Sequence, residues 1–517
     1  MSKPPRDEGP TTFVREVKSG GGGDGDIRAV VPALTILWHY DLARIGMRAP
    51  LSGRRKEVSR KTEPFDQEVD EALSRQPFLI VENDHGAVTI RPAPSRTTVL
   101  VDGMPLTASQ QIDPVRLKHG VILLLAERIV VCLHQLRVPV LPGPDLGFVG
   151  ASDAMEDVRR QIRQVADLST PVLIRGQTGT GKELVARAIA AESKASTPFI
   201  DVNMGILAPS TAASDLFGHE KGAFTGAASD RPGYFVEADG GTLFLDEIGE
   251  LHPEVQKMLL RVVVEKRVRP LGGRRERERE VKVRLIAATD KDLEAAVAAG
   301  SFDDALLNRI RGYRIDLPPL SERREDIGLL LLHFLKKKLA ETGDLHRLTS
   351  VRIKERPWLG ALDFMRIARA AYPGNLRDLD NLANELTIAS RGKPFAILGA
   401  KVEEILARTS TSTAPPPSPA PARRTGQPTD DEIREAIRKN NNNLTAAARD
   451  LGISRQTLNT RTRVDATLLR LAEDLTDDEI LDANRRHLGD VTRMADDLGV
   501  SAKGLKARLN TLLKRPR

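Results

Sequence analysis

Residues 172 to 187 read VLIRGQTGTGKELVAR, and the architecture of the central part of the chain follows from this stretch. The apolar run predicts a buried strand, the glycine-rich string a loop, and the last residues a helix. Such glycines let backbone amides wrap phosphates, and Lys182 brings a positive charge to the β and γ groups. The dipole of the helix adds to this charge. The predicted nucleotide-binding residues are Gly176, Gln177, Thr178, Gly179, Thr180, Gly181, Lys182 and Glu183.

A second apolar strand further along the chain ends on an acidic pair. Residues 240 to 250 read GGTLFLDEIGE, which places Asp246 and Glu247 after the strand. A carboxylate there can hold Mg²⁺ beside the γ-phosphate, directly or through water, and this is the role expected of Asp246. Glu247 is then placed to polarise the attacking water. The two carboxylates predict ATP and Mg²⁺ as cofactors; a structural salt-bridge pair is the alternative interpretation.

Composition narrows the class of protein. The chain has 517 residues, of which 40% are hydrophobic, and a formal charge of +7, which favours several globular domains and an acidic polymer as partner. Cys132 is the single cysteine, so intramolecular disulfides and cysteine-based zinc clusters are excluded. The longest apolar stretch, residues 121 to 133, is interrupted by Glu127 and Arg128. No membrane span is expected, and a reducing cytoplasm fits.

The composition and the pattern of apolar residues change several times along the chain. A glycine-rich flexible leader is expected at 1–26, an all-β sandwich of short apolar runs at 27–141, and alternating strands and helices of an α/β domain at 146–407. A proline-rich linker is expected at 408–428. In the tail, TDDEI at 429–433 recurs at 476–480, and the same offset of 47 superposes 449–461 on 496–508. Two copies of one module, at 429–465 and 470–517, are therefore expected.

The hexapeptide GAFTGA lies at 222–227, between the two nucleotide-site strands. With it, the segment from Leu146 to about Ser390 resembles the AAA+ domain of sigma-54-dependent transcriptional activators, also called bacterial enhancer-binding proteins. This resemblance implies a P-loop ATPase with an α-helical lid, in which the hexapeptide touches the sigma-54 subunit of RNA polymerase. The implied contact residues are Gly222, Ala223, Phe224, Thr225, Gly226 and Ala227.

Single positions of that family can be carried over to this chain. Asn203 in FIDVN corresponds to the asparagine that pairs with the catalytic glutamate, here Glu247. Thr289 and Asp290 occupy the sensor I position, where the family usually has Thr-Asn. Arg377 in YPGNLRDL matches the sensor II arginine, a cation suited to the γ-phosphate.

The trans-acting arginines of the family depart most from its pattern. Residues 302 to 310 read FDDALLNRI, which keeps Arg309 but has Asp303 in place of the first arginine. Either Arg309 or nearby Arg311 suffices, or the ATPase is slow. Because such an arginine comes from the next subunit, the resemblance implies a homo-oligomeric ring, a hexamer or heptamer.

The N-terminal segment resembles a degenerate forkhead-associated (FHA) domain, a sandwich that binds phosphothreonine. The strings SRTTVLVDG at 95–103 and LKHGVILLL at 117–125 carry this resemblance. The family's glycine-arginine pair falls at Gly46 and Met47, so Arg48, Ser59 and Arg60 are the candidate phosphate-binding substitutes. A ligand-free scaffold and a reader of phosphothreonine proteins both stay open.

Each tail repeat predicts a helix-turn-helix. LTAAARDLGISRQTLNTR at 444–461 resembles the Fis-type module found at the C-terminus of these activators, and polar side chains on its second helix can reach phosphates and base edges of double-stranded DNA. A helical packing module is the alternative. The candidate DNA-binding residues are Arg455, Gln456, Asn459 and Arg461, with Lys503, Lys506 and Arg508 in the second copy.

These features predict a regulator that binds upstream DNA, assembles into a ring, and uses ATP hydrolysis to remodel the closed complex of sigma-54 RNA polymerase. The alternative is a DNA-binding scaffold or repressor with an impaired ATPase, for which Asp290 and Asp303 argue.

Overall fold

The computed structural model describes residues 29–51, 55–59, 78–83, 86–92, 98–138, 145–193, 198–351 and 355–410, and in the tail 475–487 with single positions around it. The chain forms two compact units, Met1–Thr413 and Ala414–Arg517. The first contains an N-terminal pair of sheets, an α/β core and a group of helices that we call the lid. Among the described helices, none is long and apolar enough to cross a lipid bilayer.

The N-terminal region is built from antiparallel strands in two sheets. One sheet has the order β2-β1-β10-β9-β6-β7 and the other β3-β4-β5-β8. The elements are β1 (Ala29–Trp38), β2 (Arg48–Pro50), β3 (Arg55–Val58), β4 (Phe78–Glu82), β5 (Val88–Arg91), β6 (Val99–Val101), β7 (Met104–Pro105), β8 (Gln110–Ile112), helix α1 (Pro114–His119), β9 (Val121–Leu125) and β10 (Ile129–Val138). The strands that the sequence predicts for this region are therefore present.

The central strands of the six-stranded sheet are buried on both faces. In β9, Leu123 packs into the core between the two sheets, whereas its neighbours Ile122 and Leu124 pack into the core of the lid. The same alternation occurs in β10, where Val131 faces one core and Val130 the other. Because successive side chains point to opposite faces, a strand covered on both sides becomes a continuous apolar run. This explains the apolar stretch at 121–133.

The central domain is a parallel sheet with helices around it. The strand order is β12-β15-β18-β11-β19, and all four pairings are parallel. The strands are β11 (Val172–Arg175), β12 (Phe199–Asn203), β15 (Thr242–Asp246), β18 (Arg284–Thr289) and β19 (Tyr313–Asp316). The helices are α2 (Asp153–Ala166), α3 (Lys182–Glu192), α4 (Pro209–Phe217), α5 (Tyr234–Glu237), α6 (Pro253–Glu265), α7 (Leu293–Ala298) and α8 (Asp304–Ile310). The α/β prediction is confirmed.

Two short hairpins extend from this domain. One is formed by β13 (Gly218–His219) and β14 (Arg231–Pro232), and the other by β16 (Arg267–Val268) and β17 (Arg279–Glu280). The first interrupts the connection from β12 to β15, and the second the connection from β15 to β18. Both insertions therefore flank strand β15.

The lid consists of α9 (Ile327–Glu341), α10 (Ala361–Arg369), α11 (Asn375–Ala389) and α12 (Ala400–Ser410). It shares one core with the N-terminal sheets: the Trp38 ring stacks on Phe364 at 4.7 Å between centroids, and its Nε1 donates to the Leu359 carbonyl at 3.0 Å. A Cβ at Gly328 would lie 2.1 Å from the Leu37 carbonyl oxygen. Only a glycine lets β1 approach α9 this closely.

In the second unit, helix α13 (Asp477–Arg486) begins with a capping box formed by Thr476 and Glu479. A small core closes the module around it, formed by Leu475, Ile480, Ala483, Met494, Leu505 and Leu509. Three described positions of the first copy, Ile433, Ala436 and Leu458, are buried like their partners 47 residues later, Ile480, Ala483 and Leu505. This match supports the internal repeat.

Candidate nucleotide site and its hairpins

The glycine-rich loop 176–181 joins β11 to α3 at the carboxyl edge of the parallel sheet. Gly179 and Gly181 have φ values of +75° and +102°, which favour glycine. A Cβ at Gly179 would also lie 2.1 Å from the Gly374 carbonyl oxygen of the lid. Thr180 Oγ1 donates to the Gln177 carbonyl at 2.7 Å and closes the turn. The loop has the form expected for binding phosphates.

Lys182 is the first residue of α3 and is 7% exposed. Its Nζ donates to the Gly176 carbonyl at 3.1 Å and lies 3.6 Å from Glu247 Oε1. The predicted cation and the predicted catalytic carboxylate are therefore brought together beside the loop.

Asp246 and Glu247 stand at the end of β15. Partial burial raises the pKa of both carboxyls above its ordinary value, and the charge of Lys182 opposes this rise. Glu247 has φ +54°, a left-handed conformation that is uncommon outside glycine and asparagine and clusters at functional sites.

Asn203 lies beside Asp246 rather than Glu247. Its Nδ2 donates to Asp246 Oδ2 at 3.5 Å, because Asn203 and Asp246 are opposite residues of the parallel pair β12 and β15. Its Oδ1 accepts from the Gly205 amide at 2.9 Å. The expected pairing with Glu247 is therefore not the one that this structure shows.

The sensor I residues approach the phosphate loop from β18. Thr289 is fully buried, and its Oγ1 accepts from the Lys291 amide at 3.1 Å. Thr178 Oγ1 donates to Asp290 Oδ2 at 2.6 Å. This hydrogen bond is the main reason that the pKa of Asp290 lies below its ordinary value, so the chain holds a third carboxylate near Lys182.

Two residues at this edge were missed by sequence reasoning. Asn375, the first residue of α11, donates from Nδ2 to the Thr178 carbonyl at 3.0 Å. Arg323 is 1% exposed and donates from Nη2 to the Thr180 carbonyl at 3.1 Å; burial lowers its pKa. Arg377, which the sequence predicted, is exposed in the first turn of α11, beside Gly179. For Asn375, the sequence offered one signal: an asparagine directly after Gly374, because asparagine tolerates the left-handed backbone conformation.

A cavity of about 130 Å³ opens next to the loop, between the α/β core and the lid. Its apolar lining suits the flat ring of a nucleobase, since ligand pockets are mostly apolar with few polar groups. The lining includes Val149, Leu184, Leu317, Leu330, Phe334 and Leu376.

The GAFTGA residues form the tip of the hairpin β13–β14. The Gly222 amide donates to the Ala227 carbonyl at 2.9 Å, and Gly222 and Gly226 have φ values of +84° and +106°. Phe224 is 42% exposed, with its ring edge-on to His219 at 5.1 Å between centroids. The tip is a defined turn that presents an aromatic side chain to solvent.

The second hairpin supports the first. The Glu220 amide donates to the Leu271 carbonyl at 3.0 Å, and a Cβ at Gly272 would lie 2.8 Å from that of Ala223. Arg277 lies 3.5 Å from Glu220. Sequence reasoning gave this arginine-rich segment, 267–280, no role, because its contact with the hexapeptide is tertiary.

Asp303 has a structural task in α8. Its carboxylate accepts from the Leu306 amide at 2.8 Å and caps the helix N-terminus, where aspartate is strongly preferred. Arg309, in the last turn, is exposed. Arg311 donates to Asn308 of the same chain. The replacement of the first family arginine therefore stabilises the helix that carries the second.

Two family models match this chain. Residues 148–316 match the sigma-54 interaction domain, and residues 430–461 match a bacterial regulatory protein of the Fis family. The transcriptional regulatory protein ZraR of Klebsiella oxytoca is 40% identical over 334 residues, which cover 63% of this chain and 70% of that protein. The chain belongs to the family of sigma-54 transcriptional regulators.

Further similar proteins include NtrC relatives and a solved structure. The DNA-binding transcriptional regulator NtrC of Escherichia coli K12 is 43% identical over 265 residues, which cover 51% of this chain and 54% of that protein. The chain thus spans about half the length of its NtrC relatives. A solved structure, NtrX from Brucella abortus in complex with ADP, is 28% identical and covers 72% of this chain and 70% of that one, with a TM-score of 0.44.

The N-terminal phosphate-binding candidates of this sigma-54 regulator are poorly placed. A Cβ at Gly46 would lie 2.8 Å from the side chain of Leu329 in the lid, so the position of the family's glycine-arginine pair is covered. Arg48 has a buried Nη2, and its charge helps burial to lower the pKa of His134 to about 4. Ser59 is 8% exposed. Arg60 lies outside the described residues.

Most of the regulator's candidate DNA contacts, namely Arg455, Gln456, Asn459, Arg461, Lys503 and Lys506, lie outside the described residues. Arg508 is described, and its Nη2 lies 3.3 Å from both the Leu475 carbonyl and Asp477 Oδ1. It is therefore turned towards the start of α13, because it stands between the core residues Leu505 and Leu509. Arg508 thus makes an internal contact in this structure, and its assignment to DNA stays a prediction.

Proposed function

We propose that this chain is an ATP-dependent activator that binds DNA upstream of sigma-54 promoters and remodels the closed complex of RNA polymerase through its GAFTGA hairpin. One observation carries the proposal. The hairpin is inserted between β12 and β15, the paired strands that end in Asn203 and Asp246. A displacement of either strand end at the nucleotide site therefore moves the base of the hairpin.

We assign the hydrolysis roles to the residues around the loop. Lys182 and the loop amides would bind the phosphates, Glu247 would orient the attacking water, and Thr289 and Arg377 would approach the γ-phosphate. Magnesium in such sites is bound by one or two carboxylates, with phosphate oxygens and water completing the shell. Asp246 fits that requirement, and a bound metal ion would neutralise charge on the phosphates.

The switch that we propose uses the amide of Asn203. In this structure the Asn203 amide donates to Asp246. A cation bound to phosphate and to Asp246 would compete for the same carboxylate. The freed amide would then turn to Glu247, the pairing that the family resemblance implies. Asn203 would in this way report the state of the nucleotide to the hairpin.

The site would be complete in a homo-oligomeric ring, a hexamer or heptamer, in which Arg309 reaches the neighbouring subunit's nucleotide. The Fis-type module at 429–465 would read DNA, and the second copy at 470–517 would add affinity for phosphates. We propose the boundaries 27–141 for the sandwich and 146–407 for the ATPase with its lid. The linker predicted at 408–428 would begin after residue 410, where α12 ends. Because it would act on DNA and RNA polymerase, we propose that the protein is located in the cytoplasm.

The N-terminal sandwich would be the input domain. Its role as an FHA-like reader of phosphothreonine proteins rests on the sequence resemblance and on Arg60, since Gly46 packs against Leu329 of the lid and Arg48 has a buried Nη2. A scaffold role agrees better with the shared core.

The second candidate function is a DNA-binding scaffold or repressor with an impaired ATPase. Asp303 favours it, since a helix cap stands where the family has an arginine.

Formation of open complexes tests the proposal. Full-length protein, ATP and sigma-54 RNA polymerase should open a sigma-54 promoter, and Phe224→Ala should abolish opening while ATP hydrolysis persists. Ile206→Ala, at a residue 82% exposed and outside the hairpin, is the matched control and should open the promoter normally. Hydrolysis without promoter opening by the unaltered protein would refute the activator role.

A further inference from the structure

Asn375 occupies an unusual position where the lid meets the phosphate loop. It is fully buried, begins α11, and has φ +53°. A non-glycine residue is uncommon in this region, and asparagine is among the residue types that tolerate it. The surrounding contacts must therefore hold the residue in place.

The side chain of Asn375 joins three parts of the molecule. Its Nδ2 donates to Gln177 Oε1 at 3.2 Å and to the Thr178 carbonyl at 3.0 Å. Its Oδ1 accepts from the Leu320 amide at 2.7 Å. The first two partners belong to the phosphate loop, and the third precedes the lid.

The backbone around Asn375 reinforces this contact. The Leu376 amide donates to the Gly179 carbonyl at 2.9 Å, and Gly179 has no room for a side chain beside Gly374. The first turn of α11 thus contacts the loop from Gln177 to Gly179. A shift of the lid therefore has to change the loop or break these hydrogen bonds.

We propose that Asn375 is a positioning residue, which couples the conformation of the phosphate loop to the position of the lid and thereby sets nucleotide affinity. The proposal rests on the proposed function in one respect, that the loop binds nucleotide.

The coupling extends to the N-terminal sandwich. Helix α11 packs on α9 in the core that also contains Leu37, Trp38 and Ile122 of the six-stranded sheet. The Val351 amide donates to the Tyr40 carbonyl at 3.0 Å, which adds a second tie. Sandwich and lid therefore move together, and a change in the sandwich reaches the loop through Asn375.

Asn375→Gly in the full-length chain tests the first step. Glycine keeps the backbone conformation without strain and removes the side-chain hydrogen bonds. Because the loop then loses its side-chain hydrogen bonds to the lid, we expect affinity for ADP and for a non-hydrolysable ATP analogue to fall about tenfold, which corresponds to about 1.4 kcal/mol. Thr387→Val is the matched control, because Thr387 is also a buried polar residue of α11 but donates within its own helix. It should leave affinity unchanged, and unchanged affinity in Asn375→Gly would overturn the proposal.

A double-mutant cycle tests the second step. Trp38→Phe keeps an aromatic ring in the shared core but loses the hydrogen bond to Leu359. We expect it to change nucleotide affinity about threefold in the unaltered chain and by much less in Asn375→Gly, because coupled residues are not additive. An equal factor in both backgrounds would show that the sandwich does not act through Asn375.

Two controls are needed to interpret the measured changes in nucleotide affinity. Calorimetry checks that each variant folds. If Asn375→Gly does not fold, Gln177→Ala removes one of the two loop acceptors of Asn375, and normal affinity in that variant would count against the proposal. Affinity is measured without turnover. A chain that binds nucleotide but neither hydrolyses it nor opens promoters would refute the proposed function and leave the cycle interpretable.

Discussion

Two sheets of this molecule are buried on both faces, but they use their polar residues differently. The parallel sheet ends in Asn203, Asp246 and Thr289 at one edge, and Glu247, directly after Asp246, lies 3.6 Å from Lys182. The six-stranded sheet of the sandwich sends alternate apolar residues into its own core and into the lid, and its Arg48 has a buried Nη2. The polar residues of the candidate nucleotide site therefore lie at strand ends, whereas the strands of the sandwich mainly pack against other parts of the chain.

The largest expected effect concerns Arg309, which should act on a neighbour's nucleotide. Arg309→Ala should reduce ATP turnover by about 10³- to 10⁵-fold, the range measured for arginine fingers. Arg311→Ala is the matched control and should change turnover little, because Arg311 is held by Asn308 of its own chain. Steady-state hydrolysis at saturating ATP measures both.

Mixing shows whether the arginine acts between subunits. Chains with Lys182→Ala retain Arg309, and chains with Arg309→Ala retain Lys182, so a mixed ring should regain part of the activity that neither variant has alone. Full activity in Arg309→Ala would contradict the trans role.

The shared core predicts the next largest effect. Trp38→Ala should destabilise the protein by about 3–5 kcal/mol, as for other buried aromatic residues, and the sandwich and the lid should unfold in one transition. Val30→Ala, in the same strand but at a residue 54% exposed, should change stability by less than about 0.5 kcal/mol. Separate unfolding transitions in calorimetry, with the temperature of the ATPase transition unchanged, would contradict the shared core of sandwich and lid.

Asp290 predicts a smaller effect on the pH dependence of hydrolysis. Its negative charge raises the pKa of Glu247, in addition to burial. Glu247 must be ionised to polarise water, so turnover rises with pH through its pKa. Asp290→Asn should lower that pKa and move the acid limb of kcat towards lower pH.

The matched control for Asp290 is Asp292→Asn. Asp292 caps α7 through the Ala295 amide, away from Glu247, and its substitution should leave the pH profile in place. A profile that moves to higher pH in Asp290→Asn would contradict the assigned electrostatics.

The smallest expected effect is on phosphopeptide binding. Because Gly46 packs against Leu329 of the lid and Arg48 has a buried Nη2, we expect no retention of the full-length chain on phosphothreonine peptide arrays, and no change in Arg60→Ala. Retention that disappears in Arg60→Ala would restore the reader interpretation and show that the sandwich has a binding surface as well as a packing one.

The sequence predicted the parts whose chemistry is local. The loop from Gly176 to Lys182 and the strand that ends in Asp246 were identified because strand, turn and helix are contiguous there. Family resemblance added the role of the GAFTGA tip. These predictions depend on neighbours in the chain.

Tertiary contacts account for what the sequence did not predict. The tie from Asn375 to Thr178 joins residues 197 apart in the chain, and no periodicity signals it. The apolar run at 121–133 indicated burial but not that its second face meets the lid. The capping role of Asp303 had a local signal, because an aspartate directly before a helix is a common N-cap. This signal was missed because Asp303 was compared only with the arginine of the family.

The central claim is that the nucleotide site works between subunits of a ring. Its most direct test is ATP hydrolysis per subunit as the concentration of the full-length chain is raised. The full-length chain is required because the lid shares its core with the sandwich. Specific activity should climb with concentration and vanish in Lys182→Ala. A flat background at concentrations where the chain binds ATP would contradict the claim, and the scaffold or repressor role would then replace the activator.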